Sequence, residues 1–164
     1  MTEEYLPSSG FLKALIDDDT PLTGPDAESN LRRLLALMRD ELPANRDWAT
    51  FLLAQQGLDS TDLRKALFAA AEDENDDVRA EAIVGLAKRD KAVALPLLRR
   101  ELGREHVSVP LFEAAEIVAD LSLVDDLRDF AMPSEDVLLD ELAAKALTAF
   151  EAASNSAIRV RNGS

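Results

Sequence analysis

The segment from Asn75 to Leu102 constrains the fold more than any other part of this 164-residue chain. It begins as a polar turn, continues as an amphipathic helix, breaks at Asp90 and resumes as a second helix. Apolar residues recur every three or four positions in both halves, which is the spacing of a helix with one buried face. A pair of such helices cannot bury its apolar face alone, so the segment predicts further helix pairs stacked beside it.

The composition indicates that the whole chain is helical. Apolar residues make up 47% of the sequence and aromatic residues only 5%, so the core must consist mainly of leucine and alanine. Both are strong helix formers. Glycine and proline are sparse and several of them mark breaks between helical stretches. The chain has no cysteine, which excludes disulfides and thiolate sites and fits a cytoplasmic protein.

Weaker copies of the same pattern lie on both sides of this segment. A shift of 30 residues sets Asp47-Trp48 over Asp77-Val78, with the two aspartates as helix N-caps. A recurring unit of about 30 residues made of two helices is typical of a solenoid. We therefore predict an all-α fold, an α-α superhelix of about four to five helix pairs. In such a stack Gly85 lets a neighbouring helix approach closely, and Trp48 is expected to pack in the core or between repeats rather than to anchor a partner.

We expect one domain over residues 1–153. Its clear repeats occupy 45–131, after a degenerate N-terminal pair at 9–42 and before a capping helix at 135–153. The polar residues 154–164 are predicted to form a flexible tail.

The central segment resembles the short HEAT repeat of bacterial proteins, including the form found in phycobilisome lyase-like proteins. The features that match are Asp77-Val78-Arg79, Ala82, Leu86-Ala87 and Ala94-Leu95-Pro96-Leu97-Leu98. The resemblance implies a HEAT-like solenoid in which Arg79 bonds to an adjacent turn. It also implies a scaffold whose second helices line a binding surface, although HEAT repeats serve many functions.

No group of residues predicts catalysis, a cofactor or a metal. His106 is the only histidine, and it lies in a predicted loop without a second ligand or a triad partner, so we expect an exposed loop residue. The triplet Asp17, Asp18 and Asp19 lacks the spaced oxygen ligands of a calcium loop, which favours a solvated helix end. We predict no catalytic, cofactor or metal site and favour a non-enzymatic role.

The charge distribution identifies a candidate binding surface. The net charge of −14 argues against nucleic acid as a partner, because such a surface repels phosphates. Residues 88–104 nevertheless hold six basic residues against two acidic ones. The candidate partner-binding residues are Arg64, Lys65, Phe68, Lys91, Arg99 and Arg100. The alternative is that these are ordinary solvated charges, paired with acids such as Glu72 and Glu101.

The favoured function is therefore a non-catalytic protein–protein interaction module, an adaptor or regulatory protein. The N-terminal sequence does not resemble a signal peptide and no segment is apolar enough to span a membrane, so we expect a cytoplasmic protein with another protein as its partner. Two alternatives stay open. One is a tetrapyrrole-handling protein similar to phycobilin lyases, and the other is a DNA-binding HEAT-like protein, which the net charge disfavours.

Overall fold

A computed structural model describes residues 5–17 and 22–162 of the chain, and within those ranges it contains helices and turns but no strand. A single 3-10 turn at Leu121–Leu123 precedes the eighth α-helix. The α-helices are α1 (Gly10–Ile16), α2 (Ala27–Leu37), α3 (Pro43–Gln55), α4 (Thr61–Ala70), α5 (Asp76–Ala87), α6 (Lys91–Leu102), α7 (Pro110–Val118), α8 (Val124–Phe130) and α9 (Val137–Asn162). This confirms the all-α, HEAT-like fold class.

The chain divides into two compact units, Met1–Gly85 and Leu86–Ser164, which we call the N-terminal and C-terminal units. Each has its own core of fully buried side chains. In the N-terminal unit these include Leu12, Leu34, Leu53, Leu63, Leu67 and Ile83. In the C-terminal unit they include Leu98, Phe112, Leu123, Leu127 and Phe150. The prediction of one domain over residues 1–153 stays a prediction.

Leucine and alanine dominate both cores, as the composition requires, because few aromatic residues are available. In the C-terminal unit, the rings of Phe112 and Phe130 meet edge to face, with their centroids 5.7 Å apart. This arrangement of aromatic rings is more favourable than face-to-face stacking. It ties the start of α7 to the end of α8.

Gly85 lies where α5 approaches two other helices of the N-terminal unit, as predicted. A Cβ atom at this position would lie 2.9 Å from Leu67 Cδ2 and 3.1 Å from Ala54 Cβ. Real Cβ atoms essentially never make a non-bonded contact shorter than 3.0 Å, and a contact of 3.1 Å is tighter than nine in ten of those observed. The absence of a side chain at Gly85 therefore lets α5 pack against α3 and α4.

The predicted register of the first two repeats is wrong by about one helical turn. Helix α3 begins at Pro43, with Leu42 in the N-cap position, so Asp47 lies in its second turn and caps nothing. In α5 the cap is Asn75, whose Oδ1 accepts hydrogen bonds from the backbone nitrogens of Asp77 and Val78. Proline fixes φ for the first helical position and lacks the N–H that a cap would satisfy, which is why the helix starts there.

Two arginines reveal the correct register. Arg46 Nη1 donates to the carbonyl oxygens of Asp40 and Glu41, at 3.0 and 3.2 Å. Arg79 Nη1 makes the same pair of bonds to Asp73 and Glu74, at 2.8 and 3.0 Å. Equivalent residues are thus 33 apart (46 and 79), not 30. The prediction that Arg79 bonds to an adjacent turn is confirmed.

The ends of the chain differ in how well their helices were predicted. Helix α1 forms as predicted, with the Ser9 hydroxyl oxygen accepting a hydrogen bond from the Leu12 backbone nitrogen at 3.4 Å. Helix α9 does not end at Ala153 as predicted but continues to Asn162. Asp136 caps it, since its Oδ1 accepts from the Leu139 backbone nitrogen at 3.1 Å. The predicted 135–153 boundary is therefore wrong at its C-terminal end.

Candidate functional site

Three of the six candidate residues lie on α4, in the N-terminal unit. The Ser60 hydroxyl oxygen starts this helix by accepting a hydrogen bond from the Leu63 backbone nitrogen at 3.2 Å. The buried stripe consists of Leu63, Ala66, Leu67 and Ala70. Helical periodicity then places Lys65 and Phe68 on the exposed side, where Phe68 is 44% exposed. The surface combines an aromatic ring with a lysine one turn away.

Arg64, the third α4 candidate, is already engaged. Its Nε and Nη2 atoms donate to Oδ1 and Oδ2 of Asp59, both at 2.7 Å. A bidentate arginine–carboxylate pair is the strongest geometry available to this side chain. Arg64 therefore adds little net positive charge to the α4 surface, which leaves Lys65 as its cation.

The other three candidates lie on α6, in the C-terminal unit. The Asp90 carboxylate caps this helix by accepting hydrogen bonds from the backbone nitrogens of Ala92 and Val93, at 3.1 and 3.3 Å. Lys91 is the first helical residue and is exposed. Arg99 and Arg100 lie in the last turn, where positive charge is favourable at the helix C-terminus.

Arg99 is the more exposed of the two arginines. Its side chain is 55% exposed, and its Nε atom lies 4.0 Å from Oδ2 of Asp126 on α8. The pKa of Asp120 is lowered, first by hydrogen bonds from Ser122 and to a smaller degree by the charge of Arg99. These acids balance part of the arginine charge without burying the guanidinium.

Glu101 holds the neighbouring arginines in place. It is 3% exposed, and its carboxylate accepts from Arg100 Nε at 3.0 Å and lies 2.8 Å from Arg104 Nε. One buried carboxylate thus fixes two guanidinium groups whose outer parts face solvent, with 37% and 47% of the two side chains exposed. We call Lys91, Arg99, Arg100 and Arg104 with Glu101 the α6 basic surface.

The sequence suggested Glu101 as a partner for the candidate cations, and its ion pair with Arg100 confirms this. Its burial was not predicted, although a signal for it exists. Ala94, Leu98 and Leu102 form the buried stripe of α6, and Glu101 follows Leu98 by three residues on the same side. A carboxylate in that place must be paired, because burying an unpaired charge is costly. Two arginines within three residues are the obvious partners.

The candidate residues do not all belong to one unit. Lys65 and Phe68 are on the N-terminal unit, and the α6 basic surface is on the C-terminal unit. The structure thus describes two separate exposed surfaces. Their union into one patch, as the sequence suggested, stays a prediction.

A groove in the C-terminal unit was not predicted. It measures about 610 Å³ and lies between the α8 region and α9. Its lining residues are Leu121, Val124, Asp125, Arg128, Leu147, Phe150, Glu151, Ser154 and Asn155. Two of them, Ser154 and Asn155, follow Ala153, where the sequence predicted the helix to end, so this groove depends on the continuation of α9 beyond Ala153.

The remaining predicted features have structural roles or exposed positions. His106 is exposed in the turn after α6, as predicted. Within the part of the chain that the structure describes, no group of His, Cys, Asp or Glu is arranged to hold a metal ion. Of the acidic triplet, Asp18 and Asp19 lie outside the described residues. None of the described helices is long and apolar enough to cross a membrane.

The chain is similar to known helical-repeat proteins. The family described as HEAT repeats matches residues 31–119. Protein YibA of Escherichia coli K12 is 29% identical over a match that covers 66% of this chain and 45% of that protein, and YibA of Escherichia coli O157:H7 matches equally.

The X-ray structure of Escherichia coli YibA aligns with a TM-score of 0.60 and 28% identity, covering 75% of this chain and 44% of that chain. The chain thus spans less than half the length of the relatives it matches. Because the family match covers more than half of this sequence and agrees with the helix pairs seen here, the chain belongs to the HEAT-repeat family.

Proposed function

We propose that this protein is a non-catalytic protein-binding module, an adaptor that uses its α6 basic surface to bind an acidic segment of another protein. The observation that carries the proposal is the arrangement around Glu101. A guanidinium group that is already oriented loses less side-chain entropy on binding than a freely rotating one. Arg100 and Arg104 are oriented in this way by contacts of 3.0 and 2.8 Å.

Charge complementarity supports an acidic partner. The chain as a whole carries −14, so an acidic segment is repelled by most of the surface and attracted to few places. Repulsion from the acidic surface and attraction to the basic surface together favour one orientation of the partner when the two proteins meet. Such charge complementarity affects the association rate and specificity more than the affinity. Arginine is also over-represented among residues that dominate binding energy. The exposed Phe68 beside Lys65 is a second candidate contact on the N-terminal unit.

The test uses a charge reversal on the α6 basic surface. We expect Arg99→Glu with Arg100→Glu to weaken binding of a fluorescent peptide rich in aspartate and glutamate by about tenfold or more, since both attractive charges become repulsive. Fluorescence anisotropy at low and physiological salt measures this. The same double variant, used as bait in a lysate of the source organism, should lose the partners that the unaltered protein captures through this surface.

A matched control distinguishes the effect of the α6 basic surface on binding from the effect of the net charge of the protein. Arg32→Glu with Lys145→Glu makes the same change in formal charge at two exposed residues that do not belong to the α6 basic surface and that form surface ion pairs with Glu28 and Glu116. We expect this control to bind the acidic peptide nearly as well as the unaltered protein. Equal weakening by both double variants would show that net charge alone governs binding, and it would refute the proposal.

The other functions make different predictions. A tetrapyrrole-handling protein should shift the absorbance spectrum of heme or a bilin on titration, and a DNA-binding protein should retard duplex DNA in a gel at low salt. The proposal predicts neither effect. It also places the protein in the cytoplasm, which a sequence without cysteine supports and which cell fractionation tests.

A further inference from the structure

A small pocket in the N-terminal unit combines aromatic rings with carboxylates. It measures about 220 Å³ and lies between the N-terminal segment, α3 and α5. Its lining residues are Tyr5, Asp47, Trp48, Phe51 and Glu81. We call it the acidic aromatic pocket. It shares no residue with the α6 basic surface.

Hydrogen bonds hold the N-terminal segment against α3 and so complete this pocket. The Trp48 indole Nε1 donates to the Tyr5 carbonyl oxygen at 2.8 Å. The side chain of Asn45, only 3% exposed, accepts from the backbone nitrogens of Ser8 and Ser9, at 3.0 and 3.1 Å. The rings of Trp48 and Phe51 meet edge to face with centroids 5.7 Å apart. The aromatic walls are therefore fixed by contacts within the unit.

The carboxylate of Asp47 lies near other acidic groups. Among the described residues it forms no ion pair or hydrogen bond, and Asp77 is its charged neighbour. Burial first, and then the charge of Asp77, raise the pKa of Asp47 to about 6. Burial and the charges of Asp47 and Asp77 likewise raise the pKa of Tyr5, with Arg46 acting in the opposite direction.

Arg46, the residue before Asp47 in the chain, has no donor left for it. Arg46 Nε and Nη2 bind the two carboxylate oxygens of Asp73, both at 2.9 Å, and Nη2 also reaches Glu74 at 3.3 Å. Its Nη1 donates to two backbone carbonyls in the preceding turn. A guanidinium has five N–H donors, and all five are occupied. Arg46 therefore has no N–H group available to bind Asp47.

We propose that the acidic aromatic pocket binds an alkylammonium cation, with the rings of Tyr5, Trp48 and Phe51 facing its alkyl groups and Asp47 balancing its charge. Aromatic faces attract such cations electrostatically, and cages of two or three rings are a known means of binding quaternary ammonium and methylated lysine groups. A small metal ion is a poorer fit, because it requires several oxygen ligands and gains nothing from aromatic walls. The pocket volume suits one ammonium group with its methyl substituents.

The single tryptophan of the chain provides the measurement, since Trp48 itself lines the pocket. We expect choline to change Trp48 fluorescence in a saturable way at pH 8, while its neutral carbon isostere has no such effect. Acetylated lysine amide and its trimethylated form are titrated in parallel. Tighter binding of the lysine compounds identifies a protein side chain as the natural ligand, and tighter binding of choline identifies a free amine; both outcomes support the pocket.

The pH dependence tests the role of Asp47. Choline binding requires the ionised carboxylate, so affinity should be full above the pKa of about 6 and fall as the pH drops through it. The other charged groups near the pocket are Asp77, Glu81, Tyr5 and Arg46. Asp47→Asn should weaken binding at pH 8 by about tenfold and remove the loss near pH 6. Glu81→Gln is a second variant in case Asp47→Asn is poorly folded. It should weaken choline binding, but the affinity should still fall as the pH drops through about 6.

Asp62→Asn is the matched control, because Asp62 is an exposed aspartate in the first turn of α4 and does not line the pocket. It should bind choline as the unaltered protein does. Equal fluorescence responses to choline and its neutral isostere would overturn the proposal, as would unchanged choline affinity in folded Asp47→Asn protein. The α6 binding test does not depend on either result.

Discussion

At the scale of single residues, Arg46 links two successive turns of the N-terminal unit. Its guanidinium group donates to the backbone carbonyls of Asp40 and Glu41 before α3, and to the carboxylate of Asp73 in the turn before α5. The side chains of Arg46 and Asp73 are 9% and 12% exposed. The hydrogen bonds to Asp73 raise the pKa of the guanidinium, which outweighs the opposing effect of burial. Removal of one partner therefore leaves a buried charge uncompensated.

We expect Arg46→Met to lower the free energy of unfolding by about 3 kcal/mol, because Asp73 and two carbonyl oxygens lose their donors. Urea unfolding followed by Trp48 fluorescence measures this. The control is Arg32→Met, which breaks an exposed pair with Glu28 whose side chains are 71% and 80% exposed. Its effect should be within about 0.5 kcal/mol. Comparable losses in the two variants would contradict the structural role of Arg46.

At the scale of helices, most elements could be predicted from periodicity, but several boundaries could not. The stripes of α4 and α6 follow directly from the spacing of leucine and alanine. The start of α3 was misjudged because Asp47 is a good cap in isolation. The first turn begins instead at Pro43, and the guanidinium of Arg46 holds the preceding carbonyls in place. A contact between an arginine side chain and carbonyl oxygens five or six residues earlier cannot be read from the spacing of apolar residues.

The packing of α5 against α3 and α4 gives a prediction at this scale. We expect Gly85→Ala to destabilise the protein by about 1–2 kcal/mol, since the new methyl group would lie 2.9 Å from the buried Leu67. This is the net change in the free energy of unfolding, which already includes the gain of about 1 kcal/mol that alanine has over glycine in a helix. Thermal unfolding followed by circular dichroism measures the difference.

Gly10→Ala provides the comparison, because Gly10 is also helical and a Cβ there has no neighbour within 4 Å. That variant should be neutral or slightly stabilised. If Gly85→Ala were stabilised to the same degree, the close approach of the three helices would be disproved.

At the scale of the whole molecule, the chain is dominated by negative charge. Its 32 acidic residues exceed its 18 basic residues, and repulsion among like charges opposes a compact state. Surface ion pairs offset little of this, because each exposed pair contributes at most about 1 kcal/mol. The α6 basic surface is a local exception to this negative charge, whereas the acidic aromatic pocket has the same sign of charge as the chain as a whole.

We expect the urea midpoint at pH 7 to rise when NaCl increases from about 10 mM to about 300 mM, because salt screens the repulsion. Potassium fluoride at equal ionic strength should give a similar rise, which would identify screening rather than binding of a particular ion. A midpoint that falls with both salts would mean that attractive ion pairs outweigh the repulsion.

The sequence by itself determined the all-α fold, the repeated helix pairs and the exposed cations of α4 and α6. These follow from composition and from periodicities that act within one or two turns. Only the tertiary structure decided the 33-residue register, the fixing of Arg100 and Arg104 by Glu101, and the meeting of Tyr5 with Trp48 and Glu81. The physical reason is that side chains distant in sequence, or buried against their expected preference, acquire their environment only when helices pack together.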